Sequence, residues 1–121
     1  MVGNAVWFEI PASDFERAVK FYEAVFQVAL RREKIGGDLA VFPGDEHAVN
    51  GAVISQKGYV PAANGAVIYL NAGDDLAPVL ARAAALGGKV VTEKTALPPG
   101  MGNYAHFLDC EGNRVGLHSH N

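Results

Sequence analysis

The chain carries one local pattern twice. Residues 5–15 align without a gap on residues 66–76, at an offset of 61 positions. Each copy reads as an apolar strand, a turn of small residues with an acidic side chain, and then an amphipathic helix. A duplication of this kind within 121 residues predicts two similar halves that pack around one shared cleft.

The composition narrows the class of protein. Half of the residues are hydrophobic and the net charge is −3, with no basic stripe, so we expect a self-sufficient core and no nucleic-acid partner. No apolar run reaches membrane-spanning length, and the first residues lack the basic and apolar blocks of a signal peptide. Cys110 is the only cysteine, which excludes an internal disulfide. Together these features predict a cytoplasmic protein without a membrane partner.

The first half begins with a strand and a helix. Aromatic and β-branched side chains predict the strand over residues 5–11. Ser13 and Glu16 have the spacing of a capping box, which predicts a helix over residues 13–26 with Ser13 as its N-cap. Turns rich in glycine and proline separate three further predicted strands, at 28–34, 39–43 and 51–56.

The second half repeats this order. A strand is predicted over residues 66–72, and Asp74 or Asp75 is expected to cap the second helix, with Pro78 in its first turn. A tight hairpin turn over residues 109–113 is expected between the last two strands. The three strands after the helix are predicted at 89–95, 103–109 and 113–119.

The order of elements is therefore βαβββ in each half. Residues 1–121 are predicted to form one domain. Within it, pseudo-repeats 1–57 and 64–121 are joined by a linker over residues 58–63.

Three segments carry a resemblance to a known superfamily. They are residues 13–22 in the first half, and residues 86–90 and 107–117 in the second. With these motifs the chain resembles the vicinal oxygen chelate superfamily of glyoxalases, bleomycin-resistance proteins and extradiol dioxygenases, over nearly its whole length. The resemblance implies an α+β fold in which two βαβββ modules form a curved mixed sheet around a cleft. Because one fold hosts many chemistries, the resemblance leaves the activity open.

The resemblance also implies where a metal ion would bind. Metal-using relatives hold one divalent ion with His, Glu or Gln side chains from the first and last strands of each half. The alignment places these positions on Trp7, Ile68, Gly116 and the segment 52–54. Indole, alkyl groups and hydrogen supply no ligand for a divalent ion, so no metal site and no cofactor are predicted at the inherited position.

Strand alternation predicts which side chains face the cleft. Glu9 shares a face with Trp7, Leu70 with Ile68, and His118 with Gly116. If the turn pairs Leu108 with Arg114, then His106 lies opposite Gly116 and Tyr104 lies opposite His118. The predicted ligand-binding set therefore contains an aromatic wall, an acid, imidazoles and an apolar floor: Trp7, Glu9, Ile68, Leu70, Tyr104, His106, Gly116 and His118.

The chemistry of this set stays open at the level of sequence. Glu9 is either a general base or ligand acceptor, or a structural carboxylate with a partner. His106 and His118 are either acid–base groups, ligands of a relocated metal, or ordinary strand histidines.

Three functions follow, of which the first is favoured. The first is a metal-free protein that binds a small organic ligand. The second is a lyase or isomerase of the lactoylglutathione-lyase type, which uses Glu9 with His106 or His118, either without metal or with a relocated one. The third is a dimeric scaffold with a filled cleft. A homodimer is expected in each case, because each half leaves apolar surface to be covered.

Overall fold

Residues 3–121, which the computed structural model describes, contain eight strands and two helices. The elements of the first module are β1 (Trp7–Pro11), α1 (Phe15–Phe26), β2 (Arg31–Lys34), β3 (Asp38–Val41) and β4 (Asn50–Ser55). Those of the second are β5 (Tyr69–Asn71), α2 (Ala77–Ala85), β6 (Lys89–Ala96), β7 (Asn103–Leu108) and β8 (Arg114–Ser119). The predicted α+β class and the two βαβββ modules are confirmed.

Each module forms its own four-stranded mixed sheet. The strand orders are β1-β4-β3-β2 and β5-β8-β7-β6. The first strand of each module runs parallel to the last, and the other neighbours are antiparallel. The two sheets are therefore related as two copies of one unit.

The structural repeat differs from the sequence repeat by one residue. The Ala12 amide donates to the Ile54 carbonyl and the Ala72 amide donates to the His118 carbonyl, each at 2.8 Å, so Ala12 and Ala72 are equivalent at an offset of 60. A slip of one residue moves every side chain of a strand to the opposite face. The gapless alignment at 61 is therefore wrong, and Ile10 corresponds to Leu70, both in the core.

One hydrophobic core joins the two modules. Helix α1 lies at its centre, where Val19, Tyr22 and Val25 are fully buried. The Phe21 ring of the first module lies 6.1 Å from the Phe107 ring of the second, centroid to centroid. The two halves therefore bury their apolar faces against each other, and the core contains side chains from both modules.

The turn between β7 and β8 binds the first module through a buried polar link. The Tyr22 hydroxyl donates to the Asp109 carboxylate at 2.6 Å inside the core. Asp109 also accepts the backbone amides of Glu111 and Asn113, each at 2.9 Å, which shapes the turn. Burial first, and then the charge of Asp109, raise the pKa of the Tyr22 phenol well above its ordinary value. The hydroxyl therefore keeps its proton and remains a donor.

Glu111 of the same turn binds the start of α1. Its carboxylate accepts from the Ser13 hydroxyl at 2.6 Å, from the amides of Ser13 and Asp14 at 2.7 and 2.9 Å, and from Arg17 at 2.9 Å. Burial acts to raise the pKa of Glu111, but these donors outweigh it and lower the pKa to about 2. We call this contact the Glu111 clamp.

The caps of the helices differ from those predicted. The N-cap of α1 is Asp14, whose carboxylate accepts from the Arg17 amide at 3.1 Å, whereas Ser13 belongs to the Glu111 clamp. Helix α2 starts at Ala77 after the N-cap position Leu76, which makes no side-chain cap, and Asp75 accepts the Ala77 amide just before it. The capping-box prediction failed because a distant carboxylate satisfies the amides that it assigned to local partners.

Among residues 3–121, neither helix has the length and apolar character needed to cross a membrane.

Removal of the Glu111 charge tests the clamp. Glu111→Gln should lower the free energy of unfolding by about 1–3 kcal/mol, because the amide loses the Arg17 ion pair and its single oxygen accepts from fewer of the Ser13 and Asp14 donors. Urea denaturation measures this loss. Glu93→Gln, the same change at an exposed position of β6, is the matched control and should leave stability nearly unchanged.

The clamp also predicts a pH dependence of stability. The folded pKa of Glu111 lies near 2, below the ordinary value of 4.5, so the unfolded chain binds the proton more readily. Stability from the clamp is therefore complete above about pH 4.5 and is lost as the pH falls toward 2. The gap in unfolding free energy between wild type and Glu111→Gln should shrink over that range. A constant gap from pH 6 to pH 3 would contradict the assignment.

Candidate functional site

The side of each sheet that faces away from the helices carries the candidate site. We call it the cleft face. In the first module the core side is marked by Ile10 and Val53, so Trp7 and Glu9 on β1 project to the cleft face. In the second module the core side is marked by Phe107 and Leu117, which places Gly116 on the cleft face.

The apolar floor of the cleft face lies in the first module. Four buried side chains form a cluster separate from the main core: Leu39, Val41, Ala52 and Ile54. Strand pairing places Ala52 beside Glu9, so this floor adjoins the acid. The predicted floor of Ile68 and Leu70 needs a correction. Leu70 is only 8% exposed and belongs to the main core, whereas Ile68 packs against that core and also borders the cavity described below. The one-residue error in the repeat alignment caused this misplacement.

Trp7 and Glu9 lie side by side at the edge of this floor. The Trp7 side chain is 43% exposed, and its indole N–H donates to the Glu9 carboxylate at 3.3 Å. On the other side, the charge of Glu9 and a hydrogen bond to it raise the pKa of the Tyr59 phenol. The Trp7 indole is therefore a hydrogen-bond partner of Glu9, and the Tyr59 phenol interacts with the same carboxylate.

The predicted pairing of β7 with β8 is confirmed. Tyr104 pairs with His118, His106 with Gly116, and Leu108 with Arg114. The irregular register in this sheet lies between β6 and β7 and leaves the β7–β8 pairing intact. Tyr104, His106 and His118 therefore share the cleft face with Gly116, as expected.

A row of three side chains crosses this face. The Tyr69 hydroxyl lies 2.6 Å from His106 Nε2, and Arg114 Nε donates to His106 Nδ1 at 2.9 Å. Burial first, and then the positive charge of Arg114, lower the pKa of the His106 imidazole. We call these residues the Tyr69–His106–Arg114 row.

Sequence analysis missed two members of this row. Tyr69 occupies the position equivalent to Glu9 at the structural offset of 60, and the wrong offset had turned it away from the cleft. Arg114 had been paired with Leu108 in the predicted hairpin, and the same alternation that selected Gly116 and His118 would have selected it.

Gly116 makes room for the Tyr69 ring. A Cβ atom at position 116 would lie 2.4 Å from Cδ2 of Tyr69, far inside van der Waals contact. The aromatic ring therefore rests directly on the backbone of β8. This is the position at which metal-using relatives would carry their last-strand carboxylate.

The residues at the implied metal positions do not fit a metal ion. Position 116 is covered by the Tyr69 ring, and Trp7 offers only an indole N–H, which is directed at Glu9. The structural counterpart of Trp7 at offset 60 is Val67, which has no ligand atom. Within residues 3–121, no three His, Cys, Asp or Glu side chains are grouped so that they could hold an ion, and Glu9, His106 and His118 are not brought together into such a group.

His118 anchors a loop. Its Nε2 lies 2.7 Å from the Met101 carbonyl, and Leu97 and Gly102 close the same loop with a backbone hydrogen bond of 2.9 Å. Gly102 has φ +86°, and a Cβ there would lie 2.2 Å from the Ser119 carbonyl oxygen, so only glycine allows this approach. The structure thus separates His118 from the Tyr69–His106–Arg114 row.

A cavity of about 230 Å³ opens between the two modules. Glu9 borders it from the first module and Arg114 from the second, so groups of opposite formal charge face one space. Apolar side chains form much of the remaining wall, among them Pro11, Val60 and Ile68. Few polar groups in a mainly apolar concavity are typical of small-molecule sites.

A methyl group at position 116 tests the contact between the Tyr69 ring and the backbone of β8. Gly116→Ala should force the ring away from β8, break its contact with His106, and lower the unfolding free energy by about 1–3 kcal/mol. Thermal denaturation measures the loss. Gly65→Ala adds the same methyl group in open space and is the matched control. Equal melting temperatures for the two variants would contradict this geometry.

Arg114 should also control the titration of His106. Arg114→Met removes one of the two causes that lower the pKa of His106, so that pKa should rise toward, and stay below, its ordinary value of 6.5. A pH titration of the His106 ring followed by NMR measures the change. Arg31→Met, on exposed strand β2, is the control. A pKa that stays fixed or falls in Arg114→Met would contradict the contact.

The sequence matches the model of the Glyoxalase/Bleomycin resistance protein/Dioxygenase superfamily over residues 4–117. A glyoxylase-like domain-containing protein from Didymella fabae is 33% identical over 117 residues, which cover 92% of this chain and 89% of that protein.

Solved structures share the fold at lower identity. A glyoxalase/bleomycin resistance protein from Streptomyces sp. CB03234 is 24% identical with a TM-score of 0.72, over 96% of this chain and 100% of that one. TnmS3, an antibiotic binding protein from the same organism, is 22% identical with a TM-score of 0.63, over 99% and 98%. Glyoxalase I from Zea mays is 19% identical with a TM-score of 0.66, and this chain spans only 45% of its length.

Proposed function

Because the chain belongs to the Glyoxalase/Bleomycin resistance protein/Dioxygenase superfamily, we propose that it binds a small organic ligand between its two modules without a resident metal ion. The observation that carries this proposal is the cavity between Glu9 and Arg114. Its walls are mainly apolar, and its two charged side chains come from different modules, so a ligand there would contact both halves of the duplication.

The surroundings of the cavity favour a ligand with a planar or aromatic part. The exposed indole of Trp7 lies next to Glu9, and an aromatic face binds flat apolar groups by stacking. Glu9 supplies acceptor oxygens and the Arg114 guanidinium supplies donors, so the polar groups of the ligand would be matched at opposite ends. TnmS3, which shares this fold, is an antibiotic binding protein, and this supports a role in binding small organic molecules.

The absence of a resident metal is part of the proposal and rests on donor chemistry. The inherited positions present indole, alkyl groups and a glycine covered by an aromatic ring. Divalent ions bind oxygen, imidazole or thiolate groups, and none of these occupies the inherited positions.

A second candidate function is a metal-free lyase or isomerase, in which Glu9 is the general base. The observation that favours it is the placement of Glu9 at the cavity with aromatic donors and no cationic partner within 4 Å among residues 3–121. His106 is less suited to proton transfer, because both of its ring nitrogens already have partners. Turnover that Glu9→Gln abolishes would establish this function.

The only tryptophan of the chain, Trp7, gives a direct test of ligand binding. Planar aromatic compounds that enter the cavity should quench its fluorescence in a saturable way and raise the melting temperature, with EDTA present throughout. Glu9→Gln should weaken the binding of ligands with a donor group about tenfold, because a charged acceptor is lost. Glu93→Gln changes the net charge by the same amount at an exposed position of β6 and serves as the control.

Two outcomes would overturn the proposal. If no compound in a broad aromatic panel quenches Trp7 or shifts the melting temperature, the cavity is not a ligand site and the scaffold function replaces it. If elemental analysis of the untagged protein finds near-stoichiometric metal that EDTA removes together with ligand binding, the metal-free part fails.

The proposal includes a homodimer. Exposed apolar side chains in separate segments, among them Val6, Ile35 and Val60, are surface that a second copy would cover. Light scattering coupled to size exclusion should give twice the mass of the 12.8 kDa chain, and a concentration-independent monomer would refute this part.

A further inference from the structure

The hydrogen bonds of the Tyr69–His106–Arg114 row determine where its protons lie. Arg114 Nε carries a hydrogen and cannot accept, so His106 Nδ1 must accept at 2.9 Å. A neutral imidazole with an unprotonated Nδ1 carries its proton on Nε2. His106 Nε2 therefore donates to the Tyr69 oxygen at 2.6 Å. The hydroxyl proton of Tyr69 is then not used inside the row.

The phenol of Tyr69 is held in place by its neighbours. Its ring lies on the backbone at Gly116, and its centroid is 5.2 Å from that of His106. The Tyr104 ring packs against the other side of the row, 5.8 Å from His106 in an edge contact. Tyr69 is nevertheless 51% exposed on the cleft face. A fixed ring with an exposed edge presents its hydroxyl to the cleft in a restricted direction.

From these contacts we infer that the Tyr69 hydroxyl donates a hydrogen bond to a negatively charged oxygen of the ligand, with His106 and Arg114 as positioning residues. Of the row, only Arg114 borders the cavity, and Tyr69 lies beyond it on the cleft face. The inference rests on the proposed function, since it requires a ligand that extends from the cavity along the cleft face to Tyr69. It adds a chemical class to that ligand, namely an organic anion such as a carboxylate or an enolate next to a planar group.

The direction of the donors favours an anion over a cation or a neutral amine. Arg114 donates to His106, His106 donates to Tyr69, and every bond in the row points its hydrogen toward the next oxygen or nitrogen. Donors arranged in series polarise one another, and a charged donor at the start strengthens the last one. The end of the row at the Tyr69 oxygen is therefore matched to an acceptor with negative charge.

Glu9 limits which anions fit. Its carboxylate borders the cavity from the opposite module and would repel a second negative group. The ligand class is therefore a molecule whose charged oxygen lies at one end only, with its planar part toward Trp7.

The proton positions can be tested without any ligand. In protein with ¹⁵N-labelled histidine, long-range ¹H–¹⁵N spectra at pH 7 should show His106 as the neutral form with the proton on Nε2. Tyr104→Phe, which removes a hydroxyl outside the row on the same face, should leave that spectrum unchanged. A proton on Nδ1, or a doubly protonated ring, would overturn the inference.

Ligand preference is tested with two probes of equal size and opposite charge, benzoate and benzylamine. Benzoate at millimolar concentration should quench Trp7, and Tyr69→Phe should weaken its binding about five- to tenfold, the effect of one charge-assisted hydrogen bond. Benzylamine should bind more weakly than benzoate and should not respond to Tyr69→Phe. The loss for benzoate in Tyr104→Phe should be clearly smaller than in Tyr69→Phe.

The outcomes separate this inference from the proposed function. Equal benzoate affinity in wild type and Tyr69→Phe, or preference for benzylamine, would overturn the inference and still show a working ligand site. Failure of benzoate to bind would also overturn it, and the broader aromatic panel then decides on the ligand site. A folded Tyr69→Phe protein is required, and an unchanged far-ultraviolet circular dichroism spectrum checks it.

Discussion

The buried hydrogen bond between Tyr22 and Asp109 sets the position of one module against the other. It joins the centre of α1 to the β7–β8 turn in a place where water cannot replace either partner. Asn113 extends the link, because its side-chain amide donates to the Pro11 carbonyl at 2.7 Å and its oxygen accepts the Ala62 amide at 3.0 Å. The end of β1, the linker and the start of β8 are thereby tied at one point. The cavity with Glu9 and Arg114 lies beside this point, so its shape depends on the link.

The two modules carry different side chains at equivalent positions of the cleft face. At equivalent positions, Glu9 corresponds to Tyr69 and Ala52 corresponds to Gly116. The first module lines its face with buried apolar side chains, whereas the second carries a hydrogen-bonded row of polar ones. Small residues at positions 52 and 116 are common to both, because each lies opposite a larger side chain of the first strand. The cleft therefore has one apolar and one polar wall built on the same backbone plan.

The order of elements and the β7–β8 pairing were predictable because polar and apolar residues alternate clearly there and a tight turn sets the register. The side chains of β5 that face the cleft could not be predicted, since residues 66–70 contain no charged side chain that would distinguish the cleft face from the core side. The N-terminus of α1 was also mispredicted, because its amides bind Glu111, nearly 100 residues away, and local spacing carries no information about such a partner. Six residues of the predicted site lie on the cleft face: Trp7, Glu9, Tyr104, His106, Gly116 and His118. Tyr69 and Arg114 were found only in the structure.

Because Tyr69 and Gly116 are in close contact, the effect of a substitution at one position depends on the residue at the other. A carboxylate introduced at position 116 alone would collide with the aromatic ring. A small residue introduced at position 69 alone would leave His106 Nε2 without its partner on the cleft face. Each single change is unfavourable while the other residue remains, so the free-energy costs of substitutions at the two positions are not additive. A carboxylate at position 116 would therefore be accommodated at lower cost in a variant whose residue 69 is smaller than in this chain.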